Sequence, residues 1–169
     1  MPSYIAFLRA VNVGGTGKLP MAELRAMCES IGLTHVRTYI ASGNVVFQSR
    51  LSEASVKAKL EHCLEDYAGQ PVGVAVRTGA ELAAVLESNP FKTAAPNRTV
   101  AIFLDAPPPA DALDAATGCK TEEMALGTRE IYVHYGSGMA DSKLKIPAAR
   151  TGTARNMNTI TTLVAWATA

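Results

Sequence analysis

Residues 4–24, which read YIAFLRAVNVGGTGKLPMAEL, form the stretch around which the rest of the chain is expected to be organised. The run from Ile5 to Val13 is almost entirely apolar and of strand length, which is typical of a strand buried on both faces. A glycine-rich loop with Lys18 follows, and Pro20 suits the first position of a helix. Backbone N–H groups of such a loop and the positive end of the helix dipole together favour an anion. The stretch therefore predicts a strand, a loop and a helix, with a candidate anion site in the loop.

This loop differs from the known phosphate-binding loops. Asn12 stands where the nucleotide-binding loop has its first glycine, and Pro20 stands where the dinucleotide-binding pattern has its third. A purely structural glycine turn therefore stays open as the alternative to an anion site.

Length and composition narrow the class of protein. The chain has 169 residues and a net charge of +1, so it can bury a core but has no general attraction to nucleic acid or anionic membranes. Its three cysteines and three histidines do not cluster in sequence, which predicts no metal site and no cofactor. The residues lead us to expect no signal peptide, and they contain no apolar run long enough to cross a bilayer. The composition predicts a soluble, reduced, cytoplasmic protein.

The first half, residues 1–77, predicts the element order β-α-β-β-α-β. After the first strand and helix come strands at 36–41 and 44–48, and the Ser42-Gly43 turn between them indicates a hairpin. Ser52 can cap the next helix, which should end near Gly69, and a fourth strand follows at 71–77. This order is the split unit of ferredoxin-like folds.

The second half, residues 78–169, predicts a related β-α-β-β-α order. Thr78 and Glu81 open a helix at capping-box spacing. A strand at 99–105, a short helix at 110–116 and a hairpin of 122–126 with 129–135 follow, and then a loop with one helical turn near 142–145. A closing helix runs from about Ala154 to Thr168, with Thr153 as its N-cap.

The fold class is therefore α+β, with a ferredoxin-like first half and a related second half packed against it as one compact unit. Several strands are apolar on both faces, whereas a lone ferredoxin-like unit covers only one face of its sheet. The second half or a homodimer partner must cover the other face.

Three motifs carry a resemblance to a known family. They are the opening stretch at 4–24, VRTYIASGNVVFQS at 36–49, and the closing pair SKLKIP at 142–147 with GTARNMNT at 152–159. Together they resemble the bacterial family known as domain of unknown function 1697. The resemblance implies an α+β protein with ferredoxin-like organisation, and it implies no activity. The positions that match the family motifs are Arg9, Asn12, Gly14, Gly15, Lys18, Leu19, Pro20, Ser42, Gly43, Asn44, Lys143, Arg155, Asn156 and Thr159.

One departure from the family concerns the segment between Ser142 and Arg155. Many relatives carry a longer helical insert there, so a site that uses Lys143 would have a different shape in this protein.

The closing motif leads to a hypothesis about a ligand. Arg155 is expected in the first turn of the last helix, where a cation opposes the helix dipole and calls for an acidic partner. Asn156 and Thr159 would share a polar stripe of that helix. Either Arg9 and Arg155 form structural ion pairs with residues such as Glu23 or Glu130, or the cations converge on a small phosphate-bearing ligand. The candidate ligand-binding residues are Arg9, Asn12, Gly14, Gly15, Lys18, Ser42, Gly43, Asn44, Lys143, Arg155, Asn156 and Thr159.

Two alternatives to a small-ligand site were weighed from the sequence, namely an interaction module and an RNA-binding protein. Exposed strand edges could pair between chains, which would make the protein an interaction or oligomerisation module. RNA binding is disfavoured, because only 6% of the residues are aromatic and no basic run occurs. Whether the protein is an enzyme stays open, since none of the common hydrolase or metalloprotease motifs is found.

Overall fold

A computed structural model describes residues 2–9, 19–39, 43–136 and 142–168 of the chain. Within these residues it contains four α-helices and two four-stranded antiparallel sheets, which confirms the α+β class. Five candidate residues lie outside the described residues, namely Asn12, Gly14, Gly15, Lys18 and Ser42.

The chain divides into two compact units. Unit 1 comprises residues 1–82 and 163–169, and unit 2 comprises residues 83–162. The division into residues 1–77 and 78–169 stays a prediction about domains.

Unit 1 has the predicted β-α-β-β-α-β order. The elements are β1 (Ser3–Leu8), α1 (Met21–Ser30), β2 (Thr34–Tyr39), β3 (Asn44–Gln48), α2 (Glu53–Ala68) and β4 (Val74–Thr78). The sheet has the strand order β2-β3-β1-β4, and the likeness to ferredoxins remains an interpretation of this arrangement.

Local signals set the ends of α2. Ser52 Oγ accepts the Ser55 N–H at 3.2 Å, as its predicted capping role requires. Gly69 ends the helix in the left-handed region at φ 75°.

The core of unit 1 lies on one face of its sheet. Tyr4, Ala6 and Leu8 alternate along β1 and pack among buried residues of α1 and α2 such as Leu24 and Leu60. The residues between them on β1 are also fully buried. The strand is therefore buried on both faces, as its apolar run predicts.

Unit 2 repeats the strand order of unit 1. Its strands are β5 (Thr99–Phe103), β6 (Glu123–Leu126), β7 (Glu130–His134) and β8 (Thr153–Asn156). The sheet has the order β6-β7-β5-β8, so the hairpin, the first strand and the last strand occupy the same relative places as in β2-β3-β1-β4. The helix after β4 is α3 (Gly79–Glu87), and the helix after β8 is α4 (Met157–Thr168); the residues of each helix are divided between the two units.

Three local predictions in the second half are wrong. The helix at 110–116 is a short 3₁₀ turn at Ala112–Ala115, and the segment near 142–145 is extended instead of helical. The last helix begins at Met157 instead of Ala154, because residues 153–156 form β8 and pair with β5. Thr153 is consequently not an N-cap, since its backbone belongs to a sheet.

Among the described residues, no helix has both the length and the apolar character needed to span a lipid bilayer.

Candidate functional site

The described candidates of unit 1 lie around the end of the β2–β3 hairpin. Gly43 adopts φ 89°, and its carbonyl oxygen accepts the Leu8 N–H at 2.8 Å. Asn44 is fully buried, and its Nδ2 donates to the Tyr39 carbonyl at 2.9 Å. The Arg9 N–H donates to the Gly73 carbonyl at 2.9 Å, next to the end of β1. Gly43 and Asn44 therefore have structural roles that account for their residue types.

Arg155 occupies a different place from the one predicted. It lies on β8 opposite Ala101, so it is outside the first turn of α4, where the sequence placed it. Its guanidinium Nη1 donates to the Ala154 carbonyl at 2.8 Å. Burial lowers the pKa of the Arg155 guanidinium to about 10, so the group stays charged at neutral pH.

Asn156 caps α4 in place of Thr153. Its Oδ1 accepts the Thr159 N–H at 2.9 Å, which is the hydrogen bond of an N-cap to the third helical residue. Thr159 itself is buried. The i, i+3 pair that was predicted as a polar stripe is thus a helix cap, and its residue types need no ligand to explain them.

Lys143 belongs to an extended segment, Ser142–Ile146. Leu144 and Ile146 pack into the core cluster of unit 2, whereas Lys143 and Lys145 are exposed. Side chains that are two residues apart on an extended backbone point to the same side, about 6.6 Å apart at the backbone. The alternation therefore directs both ammonium groups into the same region of solvent.

The extended shape of this segment comes from a long-range pairing. The N–H of Lys145 donates to the Thr117 carbonyl and the N–H of Thr117 donates to the Lys145 carbonyl, both at 2.8 Å. Gly118 adopts φ 71°, and a Cβ there would overlap the Lys143 carbonyl oxygen. Glycine is needed at this position for both reasons.

A pocket of about 530 Å³ opens beside this pairing. Two features make it a candidate anion site. In the part of the chain that the structure describes, neither lysine is paired with a carboxylate. Ser142 Oγ accepts the Leu144 N–H at 3.2 Å, which leaves the Ser142 O–H to donate elsewhere. The lining residues are Thr117, Gly118, Ser142, Lys143, Leu144 and Lys145.

Sequence reasoning named Lys143 but missed the rest of this pocket. The signal for Lys145 is present in the sequence, because SKLKIP alternates polar and apolar residues with the period of a strand. No comparable signal marks Thr117 and Gly118, which lie more than 20 residues earlier and reach the segment only through the fold.

The titratable groups with shifted pKa values lie outside this pocket. Burial raises the pKa of Cys28 and of Tyr132 to about 12 in each case, and burial together with the charge of Glu122 raises that of Tyr135. These shifts follow from packing in the cores. Among residues 2–9, 19–39, 43–136 and 142–168, no three His, Cys, Asp or Glu side chains group as metal ligands do.

Comparisons with known proteins agree with this fold and add no activity. One solved structure, described as that of a conserved bacterial protein from Streptococcus pneumoniae, matches with a TM-score of 0.80 and 27% sequence identity over 98% of each chain. A search of curated proteins finds no match. The family described as "Protein of unknown function (DUF1697)" matches residues 1–132, which end before the Ser142–Ile146 segment. The chain therefore belongs to the DUF1697 family, as the sequence motifs predict.

Proposed function

We propose that the protein binds a small phosphate-bearing anion at the pocket beside Lys143 and Lys145. The observation that carries the proposal is the pair of outward-facing lysines on one extended segment at the edge of a pocket. Both side chains can reach one ligand, because their backbone positions are about 6.6 Å apart. A doubly charged phosphate group suits two such cations better than a single carboxylate does.

The charges of the site favour an anion. Two like charges at a separation of about 7 Å repel each other by roughly 0.6 kcal/mol in water, and the attraction of each ammonium group to a bound anion would offset a repulsion of this size. The Ser142 hydroxyl adds a neutral donor. Since the lysines are exposed, each contact is expected to be weak, and the dissociation constant should be about 1 mM or weaker.

A larger site remains part of the proposal. Arg9, Lys18 and Arg155 are the other cations of the family motifs, and the sequence-based hypothesis assigns them to the same ligand as Lys143. Testing Lys18 and Arg155 beside the lysine pair separates a local site from an extended one.

The test is a thermal-shift titration with inorganic phosphate at constant ionic strength, followed by calorimetry. At about ten times its dissociation constant, phosphate should stabilise the wild type by roughly 1.4 kcal/mol. Lys143→Ala and Lys145→Ala should each remove most of this gain. Lys59→Ala is the matched control, because Lys59 is an exposed lysine of α2 and outside the pocket.

The outcomes separate the alternatives. An unchanged phosphate effect in the Lys143→Ala, Lys145→Ala double variant would exclude this pocket, and an equal loss in Lys59→Ala would mean unspecific screening of charge. Loss of the effect in Lys18→Ala or Arg155→Ala as well would extend the site to those residues. Acetate in place of phosphate should give a smaller shift if the second negative charge matters.

A further inference from the structure

A second pocket of unit 2, with a volume of about 500 Å³, lies where α3 ends and α4 begins. It shares no residue with the pocket beside Lys143. Its size falls within the range of small-molecule sites in proteins. The lining residues are Ala83, Leu86, Glu87, Asn89, Lys92, Ala94, Pro96, Met157 and Thr161.

The walls of this pocket combine apolar side chains with one charge of each sign. Leu86, Met157 and Pro96 supply apolar surface, and Glu87 and Lys92 are exposed at the same pocket. Neither charge forms an ion pair with the other or with any group in the described part of the chain. The pocket therefore offers an anion and a cation separately, next to an apolar surface.

Asn89 adds a polar group at the pocket wall. The residue is only 8% exposed, and its Oδ1 accepts the Phe91 N–H at 2.9 Å, which fixes the orientation of the amide. Among the described residues, no acceptor is bonded to Asn89 Nδ2, and no buried side-chain nitrogen or oxygen lacks a partner. The Nδ2 atom is therefore accessible to solvent, and it can donate a hydrogen bond to a ligand in the pocket that this residue lines.

We propose that this pocket binds a free α-amino acid with an apolar side chain. The ligand's carboxylate would contact Lys92 and the Asn89 amide, its ammonium would contact Glu87, and its side chain would pack against Leu86 and Met157. A phosphate ester suits this site less well, because the Glu87 charge would repel it. The interior of a peptide suits it less well too, because it lacks both charges.

The test uses calorimetry with L-leucine on the full-length protein and two charge variants. Lys92→Met and Glu87→Gln keep the size of exposed side chains and should leave folding intact. Each variant should weaken L-leucine binding by about tenfold, which corresponds to roughly 1.4 kcal/mol. The matched controls are Lys59→Met and Glu65→Gln, two exposed positions of α2, and both should bind like the wild type.

Two analogues of L-leucine test which charged group of the ligand contacts Lys92 and which contacts Glu87. Leucinamide lacks the carboxylate and should lose its dependence on Lys92, and N-acetyl-leucine lacks the ammonium and should lose its dependence on Glu87. Both should bind more weakly than L-leucine, and glycine should bind more weakly because it lacks the apolar side chain. The proposal is overturned if about 10 mM L-leucine gives no heat and no thermal shift in the wild type. Equal binding of L-leucine to wild type and both pocket variants would overturn it as well.

Discussion

Removal of the Tyr132 hydroxyl is expected to destabilise unit 2 by an amount that depends on pH. This buried hydroxyl on β7 donates to the Val85 carbonyl in the last turn of α3 at 2.8 Å. The usual helical partner of that carbonyl would be the Asn89 N–H, which instead turns to the Leu86 carbonyl at 3.4 Å. Tyr132→Phe therefore leaves a buried carbonyl without a donor. The cost at neutral pH should be about 1–3 kcal/mol of the free energy of unfolding.

The pKa of Tyr132 supplies the pH dependence. Burial, with a smaller contribution from the charge of Glu130, raises this pKa from 10.0 to about 12. Below the unfolded pKa the phenol is neutral in both states, so its stabilisation is fully present. Above it the unfolded chain releases a proton that the folded chain retains, and stability falls as the pH rises through the folded pKa. The loss should reach roughly 1.4 kcal/mol at about pH 11.

The wild type and Tyr132→Phe should therefore become more alike in stability as the pH rises. Urea denaturation followed by far-UV circular dichroism, at several values between about pH 7 and pH 11, measures the difference between them. Contributions from Cys28 and Tyr135 are present in both proteins and cancel in this difference. Tyr67→Phe is the control, because Tyr67 is 46% exposed on α2 and should give almost no change. A Tyr132→Phe protein as stable as the wild type at neutral pH, or a difference that stays constant up to about pH 11, would refute the reasoning.

Three other predictions follow from local geometry. Gly118→Ala should lower the free energy of unfolding by more than Gly69→Ala does, because both glycines have positive φ but only Gly118 has a backbone oxygen where the new Cβ would lie. The left-handed conformation alone costs about 1 kcal/mol for a residue with a Cβ. Equal losses of stability for the two variants in urea denaturation would disprove the overlap at Gly118. Asn156→Ala should cost about 1 kcal/mol through loss of the α4 cap, and thermal unfolding should show that Asn156→Asp retains most of the stability. In the native protein, iodoacetamide should modify exposed Cys119 long before Cys28, whose burial raises the thiol pKa to about 12, and mass spectrometry that finds equal rates would contradict this.

Signals that act within a few residues predicted the local structure well. The bounds of β3 are as predicted, Ser52 caps α2, and Thr78 and Glu81 form the reciprocal hydrogen bonds of a capping box at 3.1 and 2.9 Å. Each of these depends on side chains and backbone groups that are close in sequence, so the residue types alone identify them.

Local structure that depends on pairing with a distant segment of the chain was not predicted correctly. Residues 153–156 have the composition of a helix start, yet they form β8 because β5, about 50 residues earlier, offers a row of backbone partners. Pairing with Thr117 likewise turns the segment around Lys143 into an extended strip instead of a helical turn. Both differences change the candidate site. Arg155 lies on β8 instead of in the last helix, and Lys145 lines the same pocket as Lys143.

The sequence by itself determined the α+β class, the element order of unit 1, the family and one lysine of the candidate site. Only the tertiary structure decided that unit 2 repeats the strand order of unit 1, that Asn156 is the cap of α4, and that Thr117 and Gly118 border the lysine pair. The reason is physical: caps, turns and apolar periodicity act over a few residues, whereas strand pairing and pockets depend on segments that come together only in the folded chain.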